Sequence, residues 1–118
     1  MHTEKKGILG EWIAALILIC KGFRILERRY KTTCGEIDII AKKSDLIVFV
    51  EVKFRQNEEK CFNAITDKQL KRIQRASGIF IDRHPEYQNN FSRYDVILIN
   101  KRKLPIHIEN VSVDHAIC

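Results

Sequence analysis

The sequence predicts an α/β (α+β) domain in which helices flank one central mixed sheet. Three observations predict it: an apolar helical run near the N-terminus, five short strand-like segments, and a second, amphipathic helical run between the third and fourth of these segments. The order is therefore helix, three strands, helix, two strands. A length of 118 residues suits a single domain, residues 1–118, with a modest core.

The first helix is expected from Ile8 to about Lys21. Its predicted core stripe consists of Ile8, Trp12, Ala15, Leu16 and Ile19, widened by Ile13, Ile17 and Cys20. Within this predicted helix, Glu11 is the only charged residue before Lys21, and a lone carboxylate on a mostly buried helix costs free energy unless it has a partner or a metal. The alternative is a first-turn acid favoured by the helix dipole. The apolar run is shorter than the roughly 20 residues that span a bilayer, so we expect neither a membrane segment nor export.

A glycine cap at Gly22 ends this helix, and three strands follow it. The predicted segments are a basic strand at Phe23–Thr32, a turn at Thr33–Gly35, a strand at Glu36–Ala41, a hairpin loop at Lys42–Asp45 and a strand at Leu46–Arg55. The last strand carries one wholly apolar face, while its other face begins with Ile47 and Phe49 and then becomes charged. This pattern indicates a central strand that ends in a polar pocket. An edge strand whose last residues reach water is the alternative.

The second half of the chain contributes one helix and two strands. The predicted segments are a polar loop at Asn57–Asn63, a helix from about Ala64 to Arg83, a strand at Tyr94–Asn100 and a short strand at Leu104–Glu109. The helix has the core stripe Ile65, Leu70, Ile73, Ala76 and Phe80, and a basic face of Lys68, Lys71, Arg72 and Arg75. Pro105 suggests an edge position for the final strand.

The register of the first hairpin decides whether its acids meet. A four-residue loop makes Ala41 oppose Leu46, so that Glu36 opposes Glu51 and Asp38 lies diagonal to Glu51. Glu36, Asp38, Glu51 and Lys53 then project from one side, while Ile37, Ile39 and Ala41 join Val48, Val50 and Val52 in the core. A slip of one residue would send Asp38 to the opposite side.

Three carboxylates crowded on neighbouring strands repel one another unless a cation joins them. Mg²⁺ (or Mn²⁺) takes oxygen ligands and retains water, so this arrangement suits a metal that polarises a phosphoryl group and activates water. Lys53 could position that water or stabilise charge on the phosphate. The alternative is that Lys53 is only a counter-ion for Glu36 and Glu51.

GEIDII at Gly35–Ile40, followed by Glu51-Val52-Lys53, resembles the PD-(D/E)XK nuclease signature. A wider pattern resembles the YraN-like family, small bacterial proteins with an endonuclease-like fold, related to archaeal Holliday junction resolvases. Its elements are Gly10-Glu11 with Ala15, Gly22–Leu26, GEIDII, FVEVKFR at Phe49–Arg55, Lys68 with Arg72 and Ala76, and Arg93–Val96. The match spans roughly Gly7 to Ile99. The chain departs from the family in having Arg29 in place of the usual Asn and Asn63 in place of a Gly.

The resemblance implies a restriction-endonuclease-like αβββαβ core and a Mg²⁺-dependent endonuclease that hydrolyses phosphodiester bonds in DNA, including branched or otherwise structured DNA. It implies Asp38 and Glu51 as metal ligands, Lys53 as the catalytic lysine, and Glu11 as an acid that reaches the metal directly or through water. Glu36 and Arg55 belong to the family pattern without a firm role. Junction resolvases act as dimers, which makes a homodimer an expectation, although no dimer surface can be identified in the sequence.

The formal net charge of +6, from 21 Lys and Arg against 15 acids, is compatible with a polyanionic partner or with solubility alone. We expect Arg55, Lys68 and Arg72 to bind substrate phosphates, although a charge run can equally be a solvated face. The four cysteines lack metal-site spacing, which favours reduced thiols in a cytoplasmic protein. Two alternatives stay open: a non-catalytic module that binds nucleic acid or protein, and a nuclease that acts on RNA.

Overall fold

The computed structural model describes residues 2–54, 66–100 and 102–111, with side chains from Leu9 onward. Its elements are α1 (His2–Cys20), β1 (Arg24–Thr32), β2 (Gly35–Lys43), β3 (Leu46–Phe54), α2 (Asp67–Arg83), β4 (Phe91–Ile99) and β5 (Ile106–Ile108), with a 3₁₀ turn at Pro85–Tyr87. This order confirms the predicted fold class. Neither described helix is both long and apolar enough to cross a membrane.

The strands form one sheet in the order β1-β2-β3-β4-β5. Neighbouring strands are antiparallel except β3 and β4, which are parallel. The sheet is therefore mixed, as predicted, and consistent with a restriction-endonuclease-like core. β3 lies at its centre, where the side chains of Ile47 to Val50 are completely buried. The prediction that this segment is a central strand is therefore confirmed, and the edge-strand alternative is wrong.

Alternate residues of the sheet enter two separate cores, one under each helix. The α1 core contains Ala14, Ala15, Leu18, Ile39, Ala41, Val48, Val50, Ile97 and Ile99. The α2 core contains Leu70, Ile73, Ala76, Phe80, Ile37, Ile40, Ile47, Phe49, Val96 and Leu98. Because alternate residues of β3 and β4 join different helices, α1 and α2 cover opposite faces of the sheet.

The predicted core stripe of α1 was wrong in part. Ala15 is buried, but Trp12, Leu16 and Ile19 are 51%, 58% and 53% exposed, and the side chain of Ile8 lies outside the described residues. The buried side carries Glu11, Ala14, Ala15 and Leu18 instead. Small alanines let the helix lie close to the sheet, and a helix that is apolar almost all round gives no pattern from which its buried side can be chosen.

The predicted hairpin register was wrong by two positions. β2 continues to Lys43, which pairs with Leu46, so Ala41 opposes Val48 and the turn is Ser44-Asp45 alone. Ser44 takes φ 54°, the left-handed conformation that short hairpin turns require. A shift of two residues keeps the alternation of the pairing, so the shift by itself moves no side chain to the opposite face.

The expected core partners of β2 are confirmed for Ile39 and Ala41 but not for Ile37, which packs under α2. In the β1–β2 register, Arg28 pairs with Ile39 and Tyr30 with Ile37. Arg29, between these pairs, has φ 53°. Between Ile37 and Ile39, the side chains of β2 therefore change from one face of the sheet to the other. This change lies opposite Arg29 of β1, whose backbone is not extended.

The basic helix α2 begins where a capping box stabilises its first turn. Thr66 accepts a hydrogen bond from the Gln69 backbone N–H, and the Gln69 side chain accepts one from the Thr66 N–H. The predicted start at Ala64 and the stripe residue Ile65 lie outside the described residues. The remaining predicted stripe, Leu70, Ile73, Ala76 and Phe80, is buried, which confirms the predicted orientation of this helix.

Candidate functional site

A fork between β2 and β3 forms the centre of the candidate site. Regular pairing of the two strands runs from the turn to Ile39 and Val50. Beyond that pair, the Val52 N–H donates to Oδ2 of Asp38 at 2.8 Å. A carboxylate from β2 thus accepts the hydrogen bond of a β3 backbone group, and the strands part around it.

The fork opens into a cavity of about 370 Å³. Its lining residues come from β2, β3 and α2, and are Gly35, Glu36, Asp38, Glu51, Val52, Lys53, Gln69, Arg72 and Ile73. Three acids and two cations therefore share one small cavity.

Glu11 reaches the same region from α1. Its neighbour Gly10 makes this approach possible, because a Cβ atom at Gly10 would lie 2.5 Å from a ring carbon of Phe54 at the end of β3. Glu11 is buried, 6% exposed, and Nε of Arg29 donates to its Oε1 at 2.9 Å. The buried acid is thus neutralised by a cation from β1.

Three carboxylates are close enough to share one cation. One oxygen from each of Glu11, Glu36 and Asp38 lies within 4.8 Å of the other two. Oxygen donors of this kind suit a hard divalent ion such as Mg²⁺ or Mn²⁺. The donor set therefore fits a hard divalent ion and contains two of the three predicted metal ligands, Glu11 and Asp38. Glu36, which the sequence left without a role, stands in the trio where Glu51 was expected.

The protonation of Asp38 reflects this crowding. Burial, the negative charge of Glu51 and a hydrogen bond with the Glu51 side chain raise the pKa of Asp38 to about 8, against the opposing hydrogen bond from the Val52 N–H. The Glu11 charge raises the pKa further. A proton on Asp38 therefore relieves repulsion that a bound cation would also relieve.

Glu51 and Lys53 form a pair inside the cavity. Nζ of Lys53 lies 3.3 Å from Oε2 of Glu51, and the two side chains are 18% and 16% exposed. Lys53 is therefore a counter-ion of Glu51, as one of the two interpretations of this lysine expects. The contact also holds the ammonium group in the cavity that contains Asp38, where an oxyanion could approach it.

Arg72 connects the acidic cavity to a basic surface. A second cavity of about 560 Å³ is lined by Thr33, Cys34, Asp67, Lys68, Lys71, Arg72 and Arg75. We call this surface the basic groove. Arg72 lines both cavities, so the predicted basic helix face adjoins the acids. Within the groove, Lys71 is paired with Asp67 at 3.5 Å.

The structure therefore brings together Glu11, Glu36, Asp38, Glu51, Lys53 and Arg72. Arg55, a predicted substrate-binding residue, lies outside the described residues, and Lys68 lies in the basic groove, not in the acidic cavity. Sequence reasoning missed Gln69 and the partnership of Arg29 with Glu11. The sequence did contain a signal for Glu36: it lies two residues from Asp38 on the same strand, and such residues point to the same face.

Comparison with known proteins identifies relatives across most of the chain. The chain is 41% identical over 110 residues to a UPF0102 protein of Chelativorans sp. (strain BNC1), covering 93% of this chain and 89% of the relative. It is 42% identical over 106 residues to UPF0102 protein mlr4633 of Mesorhizobium japonicum, covering 90% and 85%. A UPF0102 protein of Bradyrhizobium sp. is 44% identical over 104 residues, covering 88% and 76%. Since the family model also matches residues 10–99, the chain belongs to the uncharacterised protein family UPF0102.

Proposed function

We propose that this protein is a metal-dependent endonuclease that hydrolyses phosphodiester bonds in DNA, including branched or otherwise structured DNA. The observation that carries the proposal is the gathering of Glu11, Glu36 and Asp38 within 4.8 Å beside the Glu51–Lys53 pair. The negative charges of these carboxylates repel one another, and a bound divalent cation would turn this repulsion into attraction. The resemblance of these residues to the PD-(D/E)XK signature supports the same reading.

Glu11, Glu36 and Asp38 would hold Mg²⁺ or Mn²⁺, and Glu51, which lines the same cavity, would be a further ligand. When bound, the ion would polarise the phosphoryl group and lower the pKa of the attacking water. Lys53 would stabilise negative charge as it builds on the phosphate. Its contact with Glu51 at 3.3 Å keeps the ammonium group oriented before substrate arrives.

The basic groove supplies the contact with the nucleic-acid backbone. Lys68 and Arg72 are exposed there, and Arg72 borders the acidic cavity as well. A backbone that follows the groove would thus lead a phosphate towards the acids. Contacts to phosphates carry no sequence information, so we infer that binding depends on charge and on DNA shape.

The proposal is tested by cleavage of a panel of duplex, flap and four-way DNA and of single-stranded RNA, with Mg²⁺ or Mn²⁺. We expect metal-dependent cleavage that Asp38→Asn and Lys53→Ala each reduce by about 100-fold or more, the usual size of a lost charge-stabilising group. Asp82→Asn, at an exposed position of α2, is the control and should cleave at the wild-type rate. Cleavage that survives Lys53→Ala unchanged would show that another nuclease is responsible.

The second candidate is a non-catalytic module that binds nucleic acid. One observation favours it: Arg29 and Lys53 already neutralise Glu11 and Glu51, so the fold has protein counter-ions for two of its acids. Calorimetric titration with Mn²⁺ separates the two candidates. The non-catalytic module would be favoured if wild type binds DNA but not Mn²⁺, and if Asp38→Asn binds DNA as tightly as wild type.

A further inference from the structure

Arg29 occupies a strained backbone position at the edge of the acidic site. Its φ of 53° lies in the left-handed region, which costs a non-glycine residue about 1–2 kcal/mol. Strain of this kind persists only where surrounding contacts enforce it. In the β1–β2 register, Arg29 lies between the pairs Arg28–Ile39 and Tyr30–Ile37, and thus faces Asp38.

In this conformation, the side chain of Arg29 contacts Glu11. Its Nε donates to Oε1 of Glu11 at 2.9 Å. The Glu11 side chain is 8% exposed while that of Arg29 is 43% exposed. The buried acid therefore depends on a cation whose own side chain remains in contact with solvent, and which can leave without opening the core.

Glu11 is also one of the three acids whose oxygens lie within 4.8 Å of one another. A guanidinium group and a divalent ion are both cations that take carboxylate oxygens, and each lowers the cost of keeping Glu11 buried. Two cations that use the same carboxylate repel each other. Occupancy by one therefore opposes occupancy by the other.

We propose that Arg29 is the resident counter-ion of Glu11 and competes with the divalent metal for its carboxylate, so that the Arg29–Glu11 contact sets the metal affinity of the site. This inference rests on the proposed metal site and deepens it. Arg29 is a positioning residue: it holds Glu11 beside Glu36 and Asp38 until a metal replaces it.

The test is calorimetric titration of Mn²⁺ into wild type, Arg29→Asn, Glu11→Gln and the double variant, at an ionic strength of about 0.15 M, where exposed charges are screened beyond about 8 Å. Asn is chosen because its side chain tolerates the left-handed conformation. We expect Arg29→Asn to bind Mn²⁺ about 10-fold more tightly, a common size for coupling between two ligands. The gain should vanish when Glu11→Gln is also present. Arg24→Asn, which removes the same charge from an exposed position of β1, should leave the affinity within about 2-fold of wild type because solvent screens it.

A thermal unfolding series gives a second readout. Without metal, Arg29→Asn leaves Glu11 buried without its cation, so its melting temperature should fall. Mn²⁺ should then raise the melting temperature of this variant more than that of wild type. If Arg29→Asn does not fold, Arg29→Gly serves the same test, since glycine prefers this φ.

The outcomes separate this inference from the proposed function. Wild type that binds Mn²⁺ as tightly as Arg29→Asn, or more tightly, would overturn the competition alone. A gain that persists in the Glu11→Gln background would show that Arg29 acts only through its charge, and would also overturn it. A flat titration for wild type and every variant would overturn the metal site, and this inference with it.

Discussion

At the scale of single residues, Asp38 combines a structural task with a chemical one. Its carboxyl group accepts the Val52 N–H at 2.8 Å and lies beside Glu51. Burial and the Glu51 charge raise the pKa of Asp38 from its ordinary 3.8 to about 8. Between these two pH values the folded protein binds a proton that the unfolded chain releases. The free energy of unfolding therefore falls as the pH rises from about 4 to 8.

Asp38→Asn should remove this dependence on pH. The amide keeps an acceptor for the Val52 N–H and a donor for Glu51 but cannot ionise. We expect the variant to be more stable than wild type at pH 9 by about 1–3 kcal/mol, the cost range of a poorly satisfied buried group. The advantage should shrink steadily towards pH 4. Urea unfolding in the presence of a chelator, at several pH values, measures it.

Asp82→Asn is the matched control, because Asp82 is exposed on α2. Its difference from wild type should stay nearly constant between pH 5 and 9. A constant difference for Asp38→Asn as well would contradict the raised pKa of Asp38.

At the scale of elements, α1 shows where local pattern stops being informative. The sequence predicted its C-terminal end and its apolar character, because both are properties of consecutive residues, but not its start, which is at His2 and not at the predicted Ile8. It did not predict which side is buried, since Trp12, Leu16 and Ile19 are as apolar as the buried Leu18. That choice depends on how closely the helix can approach β3, and Gly10, Ala14 and Ala15 determine that distance.

The close approach of α1 can be tested at Gly10. A Cβ atom there would lie 2.5 Å from Phe54, so the helix backbone or the ring would have to shift. We expect Gly10→Ala to lower the free energy of unfolding by about 1–3 kcal/mol through overpacking. Because Glu11 is the next residue, Mn²⁺ binding should weaken as well. Denaturant unfolding and calorimetry measure the two effects.

Gly78→Ala provides the opposite expectation with the same chemical change. Nothing lies within 4 Å of a Cβ atom at Gly78, which is exposed within α2. Alanine should therefore stabilise the helix by about 0.5–1 kcal/mol and leave Mn²⁺ binding unchanged. If both substitutions shifted stability in the same direction, the close contact of Gly10 with Phe54 would not be the cause.

A buried polar cluster joins β4 to β5. Asp95, 1% exposed, accepts hydrogen bonds from Arg93 at 2.9 Å, from Nε2 of His107 at 2.8 Å and from the Asn110 N–H at 3.0 Å. Burial alone would raise the pKa of Asp95, but the hydrogen bonds from His107, Arg93 and Asn110 outweigh it and lower the pKa. The folded protein therefore keeps Asp95 ionised at pH values just below 3.8, where the unfolded chain binds a proton.

Asp95→Asn should be strongly destabilising, because it removes a fully buried charge that holds the partly buried Arg93 and the His107 ring. We expect a loss of about 3–5 kcal/mol, the usual cost of breaking a buried ion pair. The loss should be fully present at pH 7 and should shrink as the pH falls below about 4, because the unfolded wild-type chain then takes up a proton on Asp95 while the folded protein, with its lowered pKa, still holds the carboxylate ionised. Glu109→Gln, whose side chain is 51% exposed and 3.8 Å from Arg93, should cost less than about 1 kcal/mol. Equal losses for the two would contradict the role of burial.

At the scale of the whole molecule, the candidate site draws on four elements besides β3. Its acids come from α1, β2 and β3, its counter-ion Arg29 from β1, and Arg72 from α2. Period-two patterns predicted the contributions of β2 and β3, and an even error in register did not disturb them. The Arg29–Glu11 contact was beyond such reasoning, because the left-handed φ of Arg29 leaves no mark in the spacing of apolar residues.

The joining of the basic groove to the acidic cavity yields a prediction about DNA binding. Each Lys or Arg that contacts a phosphate contributes about one unit to the slope of log affinity against log salt. Lys68→Gln and Arg72→Gln should each weaken binding and lower this slope by about one. Fluorescence anisotropy with labelled DNA at several salt concentrations measures the slopes.

The two substitutions should differ in cleavage, because only Arg72 also lines the acidic cavity. At saturating DNA, Lys68→Gln should cleave at the wild-type rate while Arg72→Gln remains slower. Arg83→Gln removes an equal charge from the other end of α2, where the guanidinium group contacts the Tyr30 hydroxyl at 3.1 Å, and should leave slope and rate unchanged. Equal slopes for all three variants would mean that DNA does not follow the groove, and the path from the basic surface to the acids would have to be sought elsewhere on the molecule.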